Sequence, residues 1–162
     1  MITSQYHSIL QTPIGVLRVT AVEKGITDST FLEESHETSS DVPVFLRDCM
    51  AQLQEYFEGK RSHFDSLPLA VRGTDFQQKV WDIAAAIPYG QTSTYGSIAE
   101  EIGMNGGGQA VGSALNRNPL CIIVPCHRIV PRTPAGEIGG YAGGTWRKEW
   151  LLKHERTTDR VQ

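Results

Sequence analysis

The sequence predicts an α+β protein: a β-meander with one helix over residues 1–72, a mostly helical C-terminal part with a winged helix-turn-helix over 73–156, and a flexible tail over 157–162. Three observations predict it. Residues 6–32 form short runs of strand character between turn residues, one of them strictly alternating. Residues 42–58 repeat apolar side chains at helical spacing. Residues 93–119 read as two short helices joined by a glycine-containing turn, which is the helix-turn-helix pattern.

Taken in order, Tyr6–Gln11 is a strand that turns at Thr12-Pro13-Ile14-Gly15. Val16–Val22 follows, with Leu17, Val19 and Ala21 alternating against Arg18 and Thr20, and Glu23-Lys24-Gly25 turns into Ile26–Leu32. Residues 33–41 are polar and are expected to be a mobile loop. Leu46, Cys49, Leu53 and Tyr56 mark the apolar stripe of the helix, and Gly59 stands at its stop. A short strand is expected at His63–Leu67, and Pro68–Arg72 links to the second part. There Thr74 and Gln77 have capping-box spacing at the head of a helix that Pro88 ends. Ser93 or Thr94 caps the next helix, Gly103–Gly106 breaks it, and a second helix rich in small residues runs through Ala110, Val111 and Ala114. Leu120–Val124 is expected to be a strand, residues 132–137 a hairpin or wing tip and 139–144 a glycine-rich loop. A last helix from Thr145 is expected to bury Trp146 or Trp150 with Leu151, and to turn Arg147, Lys148 and Lys153 outward.

Composition excludes several functions. No apolar run approaches the ~20 residues that span a bilayer, and the polar start is not a signal peptide, so a cytoplasmic location and no membrane partner are expected. Three cysteines without CxxC spacing fit neither a disulfide framework nor a zinc knuckle. His7, His36 and His63 lack matched ligand spacing, so no metal is expected. The net charge of −3 hides a gradient. Residues 1–72 hold six Lys/Arg against ten Asp/Glu, whereas residues 102–162 hold eight against four. Basic charge gathers in the half that an anionic partner would approach.

Ile122–Val130 carries the chemistry. Pro125 interrupts an apolar run and places Cys126, His127 and Arg128 on a turn. A thiol beside two basic side chains has surroundings that lower its pKa and favour a thiolate nucleophile. Adjacent side chains of an extended chain face apart, so His127 is expected to reach the thiol through a turn or one water, with Glu155 or Glu149 orienting it. Residue chemistry alone leaves a cysteine hydrolase and a thiolate that accepts a group permanently. The neighbouring helix-turn-helix favours DNA, whose base must leave the stack to be reached.

The block Ile-Val-Pro-Cys-His-Arg-Ile-Val (123–130) is preceded by Ala-Val-Gly-x-Ala-x-x-x-Asn-Pro (110–119) and followed by Gly-Tyr-Ala-Gly-Gly-x-x-x-Lys-Glu-Trp-Leu-Leu-x-His-Glu (140–155). It resembles the O6-alkylguanine-DNA alkyltransferases, the methylated-DNA–protein-cysteine methyltransferase family. The match is dense over 73–155, and the first half loosely resembles the family's ribonuclease-H-like N-terminal domain. The resemblance implies irreversible, single-turnover transfer of the alkyl group of O6-alkylguanine, and less well of O4-alkylthymine, to Cys126 after base flipping. It implies His127 as base through a water, Glu155 as its orienter, Asn118 shaping the turn, and Tyr95 facing the flipped base. Tyr141, Ala142 and Leu115 would wall the pocket, and the carbonyls of Cys126 and Ile129 would accept from the guanine amino group. Arg128 would tie the two domains together. Thr94, Gln109, Ala110, Gly112, Ser113, Asn116 and Arg117 would meet double-stranded alkylated DNA in the minor groove. No cofactor is implied, and a monomer is expected, with cooperativity along DNA left open. One position departs from the family pattern: Gln109 stands where an Arg usually enters the duplex, implying weaker DNA binding or base extrusion. A damage-recognition module without chemistry is the third reading, disfavoured by the intact Cys126 block.

Overall fold

The computed structural model describes residues 4–34, 37–133 and 136–158. The chain divides into two compact units, one built from the chain up to Val71 and the other beginning at Arg72.

In the first unit β1 (Tyr6–Thr12), β2 (Gly15–Val22) and β3 (Gly25–Leu32) form an antiparallel meander in the order β1-β2-β3. Alternation puts Leu17, Val19 and Ala21 on one face, and all three are fully buried. The helix α1 (Val44–Phe57) buries Leu46, Cys49, Leu53 and Tyr56, the stripe read from the sequence. Burial pushes the Cys49 thiol up to about 12, so this cysteine is inert core. The strand expected at His63–Leu67 does not form. Ser66 has φ 53°, and the Gln52 side chain donates to Asp65 O at 3.0 Å and accepts from Asp65 N at 2.8 Å. A side chain thus satisfies the backbone that a ladder would have used. Pairing is displaced to Leu69, which bridges Ile26 in parallel, and a Cβ on Gly25 would come 2.6 Å from Pro68 O. The polar segment after β3 is anchored at Ser39, which exchanges hydrogen bonds with the His7 backbone at 2.8 and 2.9 Å. Ser35 and His36 lie outside the described residues.

In the second unit α2 (Asp75–Ala85) begins with the full Thr74–Gln77 capping box, worth about 1 kcal/mol. Thr94 ends the two-residue strand β4 (Ser93–Thr94) and caps α3 (Tyr95–Ile102) by accepting from Ser97 N at 3.1 Å. Gly103, in the left-handed conformation at φ 87°, stops α3 before α4 (Gly108–Asn116). Trp81 Nε1 donates to Ala114 O at 2.8 Å and fixes α4 against α2.

Leu120–Val124 is not a strand. Ile122 takes φ 74°, and Cys121 bridges Val124 across a tight turn. Asn118 accounts for the turn: its Oδ1 accepts from Leu120 N at 2.9 Å while Nδ2 donates to Leu120 O at 3.3 Å and Val124 O at 3.1 Å. The apolar run reflects burial, not a ladder. The strand comes later, as β5 (Ile129–Val130), which pairs in parallel with β4. Among the described residues the expected wing forms no strand pair, and Pro134 and Ala135 lie outside them. The last helix, α5 (Thr145–Thr158), buries Lys148, Leu151, Leu152 and Glu155. Trp146 is 56% exposed and Trp150 half-buried, so neither tryptophan is the anchor expected. No helix of the described residues is long and apolar enough to cross a membrane.

Candidate active site

Pro125 precedes a single 3-10 turn, Cys126–Arg128, whose three side chains are all buried. Cys126 N donates to Val124 O at 2.8 Å, and Asn118 Nδ2 donates to Cys126 Sγ at 3.3 Å. Burial raises the Cys126 pKa, and the Asn118 hydrogen bond and the Lys148 charge only partly offset it. This corrects the expectation of a thiol activated by its neighbours: at rest Cys126 is a protonated thiol.

The neighbours fail to activate it because each is committed elsewhere. His127 Nε2 lies 2.7 Å from Glu155 Oε2. Burial holds the His127 pKa below its ordinary value despite Glu155, so the ring is neutral. An ionised Glu155 can only accept, which places the ring proton on Nε2 and leaves Nδ1 as an acceptor. That Nδ1 is buried without a hydrogen-bond partner among the described residues. Arg128 forks onto the same carboxylate, Nε to Oε1 at 2.8 Å and Nη2 to Oε2 at 3.1 Å, and its Nη1 donates to Ile87 O at 2.7 Å. Burial alone would raise the Glu155 pKa, but His127 and Arg128 together hold it well below the carboxylate range. Arg128 therefore braces Glu155 against the backbone just after α2, at Ile87. Glu149, the other carboxylate considered, is exposed.

Sequence reasoning missed Lys148. It is fully buried, and its Nζ donates to Ile129 O at 2.6 Å, Gly140 O at 3.0 Å and Tyr95 Oη at 3.3 Å. Burial lowers its pKa to about 8, with the Cys126 charge working the other way. A signal was present: positions 148, 151, 152 and 155 share one helix face, so a lysine on that face had to find buried acceptors.

Tyr95, Gly112, Leu115, Cys126, Tyr141 and Ala142 face a cavity of about 400 Å³ between α4 and the glycine-rich loop. Burial and the nearby thiol raise the Tyr95 pKa, which keeps its phenol protonated. The Tyr141 ring meets His127 edge-on, centroids 6.4 Å apart. Small residues make the room: a Cβ on Gly139 would lie 3.0 Å from Tyr95 Oη. The cavity is large enough to take a purine.

Residues 75–157 match the family model "6-O-methylguanine DNA methyltransferase, DNA binding domain", and residues 5–71 match its "ribonuclease-like domain". The chain belongs to the 6-O-methylguanine DNA methyltransferase family. It is 43% identical to a methylated-DNA–protein-cysteine methyltransferase of Methanosarcina barkeri, covering 93% of this chain and 96% of the relative. The crystal structure of Mycobacterium tuberculosis O6-methylguanine methyltransferase superposes with a TM-score of 0.83 at 39% identity, covering 96% of this chain and 94% of that one. The M. tuberculosis protein OGT in complex with DNA superposes at 0.82 with 40% identity, covering 94% and 93%.

Within this methyltransferase fold most, not all, of the residues read from the sequence gather at the cavity. Gln109, Ser113 and Asn116 line it with exposed side chains, and Arg117 caps the end of α4 in solvent. Ala110 is half-buried on the same helix outside the lining. Ile129 and Thr94 also stand off the lining. Ile129 is fully buried and does not line the cavity; its carbonyl accepts from Lys148, and the Cys126 carbonyl from Ile129 N. Thr94 is turned into its capping role, its hydroxyl shared with Ser97 N and Oγ.

Proposed function

We propose that this protein repairs alkylated DNA, moving the alkyl group of O6-alkylguanine from a flipped base to Cys126 in a single, irreversible turnover. The observation that carries this reading is a buried thiol at a purine-sized cavity, with a neutral His127 paired to an ionised Glu155 beside it.

Sγ attacks the alkyl carbon in line, the C–O6 bond breaks, and its electron pair stays on the guanine oxygen. The thiol proton leaves through one water to His127 Nδ1, and the resulting imidazolium is stabilised by Glu155. Arg128 keeps Glu155 ionised for that task. Tyr95 donates its hydroxyl proton to the leaving guanine, and Lys148 in turn donates to Tyr95 Oη and stabilises the thiolate as it forms. A thiol that ionises only as it reacts is protected between encounters. Tyr141 and Ala142 wall the base, Leu115 closes the apolar side, and Asn118 aims the sulfur. The face of α4 enters the minor groove, with Gln109 filling the space left by the flipped nucleotide; it lacks the charge and stacking plane of an arginine. Ala110, Gly112, Ser113, Asn116 and Arg117 contact the backbone around it.

Mixing the full chain with duplex O6-methylguanine and weighing it tests the reading. The expected result is one gain of about 14 Da per chain on Cys126, one methyl replacing one proton in a stable thioether. Retained DNA binding without an adduct would instead support a damage sensor, and turnover without an adduct a hydrolase.

A further inference from the structure

The wall of the cavity between Gly139 and Gly144 belongs to no strand or helix, yet its two ends are held very differently. The inner end is tied down from the interior: half-buried Gly139 lies against Pro131 and Tyr95, and Gly140 O accepts from the buried Lys148 Nζ at 3.0 Å. The outer end, at Gly143 and Gly144, is held by two residues of α5 that the alkyl-transfer chemistry does not use. Arg147 Nη1 donates to Gly143 O at 2.8 Å. Its guanidinium lies over the Trp146 ring, 4.5 Å from the centroid. The edge of that indole packs on Gly144, where a Cβ would come within 3.4 Å of Cδ1 and Nε1. Gly144 N closes the turn onto Tyr141 O at 2.9 Å, and its φ of 95° favours glycine.

A tryptophan that leaves 56% of its surface in water gains little from burial. Its face instead restricts the Arg147 side chain to the rotamer that reaches Gly143. Tyr141 and Ala142, the two residues that wall the cavity, sit between the inner and outer anchors. We propose that Trp146 and Arg147 form an external clamp on the Tyr141–Gly144 turn and thereby set how large an alkyl group the cavity admits. They are positioning residues, since neither lines the cavity. The specificity role rests on the alkyl-transfer reading; the clamp itself does not.

Full-length wild type, Trp146→Ala, Arg147→Ala and Trp146→Phe are compared by two measurements. Hydrogen–deuterium exchange over residues 139–144 reads the clamp without any alkylated substrate. Adduct formation from O6-benzylguanine and O6-methylguanine in the same duplex gives the selectivity ratio. Both alanine variants are expected to exchange about tenfold faster in that segment and to raise the benzyl-to-methyl rate ratio about fivefold, as one lost hydrogen bond and a relaxed wall imply. Trp146→Phe keeps a stacking face and is expected to match wild type in both. Unchanged protection in the alanine variants overturns the clamp, whatever the ratio does. Lost protection with a ratio within about twofold of wild type overturns the specificity role. A wild type that forms no adduct sinks the alkyl-transfer reading and the specificity role with it, while exchange still decides the clamp.

Discussion

Lys148 and His127 hold unfavourable protonation equilibria in place, and each leaves a signature in pH. Lys148 loses its charge above about pH 8, and with it the cation facing the thiolate and a donor to Tyr95. Alkyl transfer is therefore expected to decline above about pH 8 in wild type, and a pH–rate profile of Lys148→Arg should lose that limb, because a guanidinium does not titrate there. An identical limb in the variant would assign the decline to another group. His127 works in the opposite range. Its folded pKa lies below 6.5, so below that pH the unfolded chain binds a proton that the buried ring refuses, and stability falls as pH falls. Glu155 adds to this lower down. Its depressed value makes its contribution complete above the carboxylate range and lost as pH drops through the folded value. Thermal melts are expected to show Tm decreasing from pH 6.5 downward, with the first part of that decrease missing in His127→Gln. A wild-type Tm that is flat between pH 6.5 and 5 would contradict the neutral buried ring.

At the scale of the element, α4 is a compromise between packing and access. Its inner face is anchored through Val111, Ala114 and Leu115 and through Trp81, while Gln109, Ser113 and Asn116 face outward along the cavity. Gly108 and Gly112 add no side chain where α4 passes Tyr95; a Cβ on either would lie 3.6 to 3.8 Å from that residue. If the proposed base flipping operates, residue 109 on this helix is where base extrusion would be tuned. Gln109→Arg is expected to strengthen binding to duplex DNA severalfold and to accelerate adduct formation, with a salt dependence steeper by about one counterion. Affinity and rate both unchanged, measured by titration and by adduct kinetics, would remove Gln109 from the role of finger.

Across the whole molecule the product of the reaction is a different object from the starting protein. Cys126 is 6% exposed and hydrogen-bonded to Asn118, and the turn that carries it depends on the same Asn118 side chain. Although Sγ borders the cavity, a methyl group there is expected to crowd the Asn118 contact and the buried turn, at a cost of about 1 to 3 kcal/mol. The alkylated protein is expected to melt lower than the free one by differential scanning calorimetry. Equal or higher Tm after complete alkylation would show that the cavity absorbs the group without strain.

What the sequence determined by itself was the set of elements with strong periodicity or punctuation, and the block that carries the chemistry. The meander, α1, the capping box of α2 and the Gly103 stop were legible because each is a local pattern of side chains along one short segment. Cys126, His127 and Glu155 were legible as candidates because a thiol, an imidazole and a carboxylate have few other uses together. Tertiary structure decided the rest, because burial and partner choice are properties of segments far apart in the chain. The run Leu120–Val124 looked like a strand since both a ladder and a buried turn want apolar residues, and only Asn118 in place separates the two. Lys148 looked like a solvated charge until its helix face was closed over Ile129 and Gly140. The direction of the Cys126 pKa was reversed for the same reason: desolvation outweighs neighbouring cations whose charge is already spent on Glu155 or suppressed by burial.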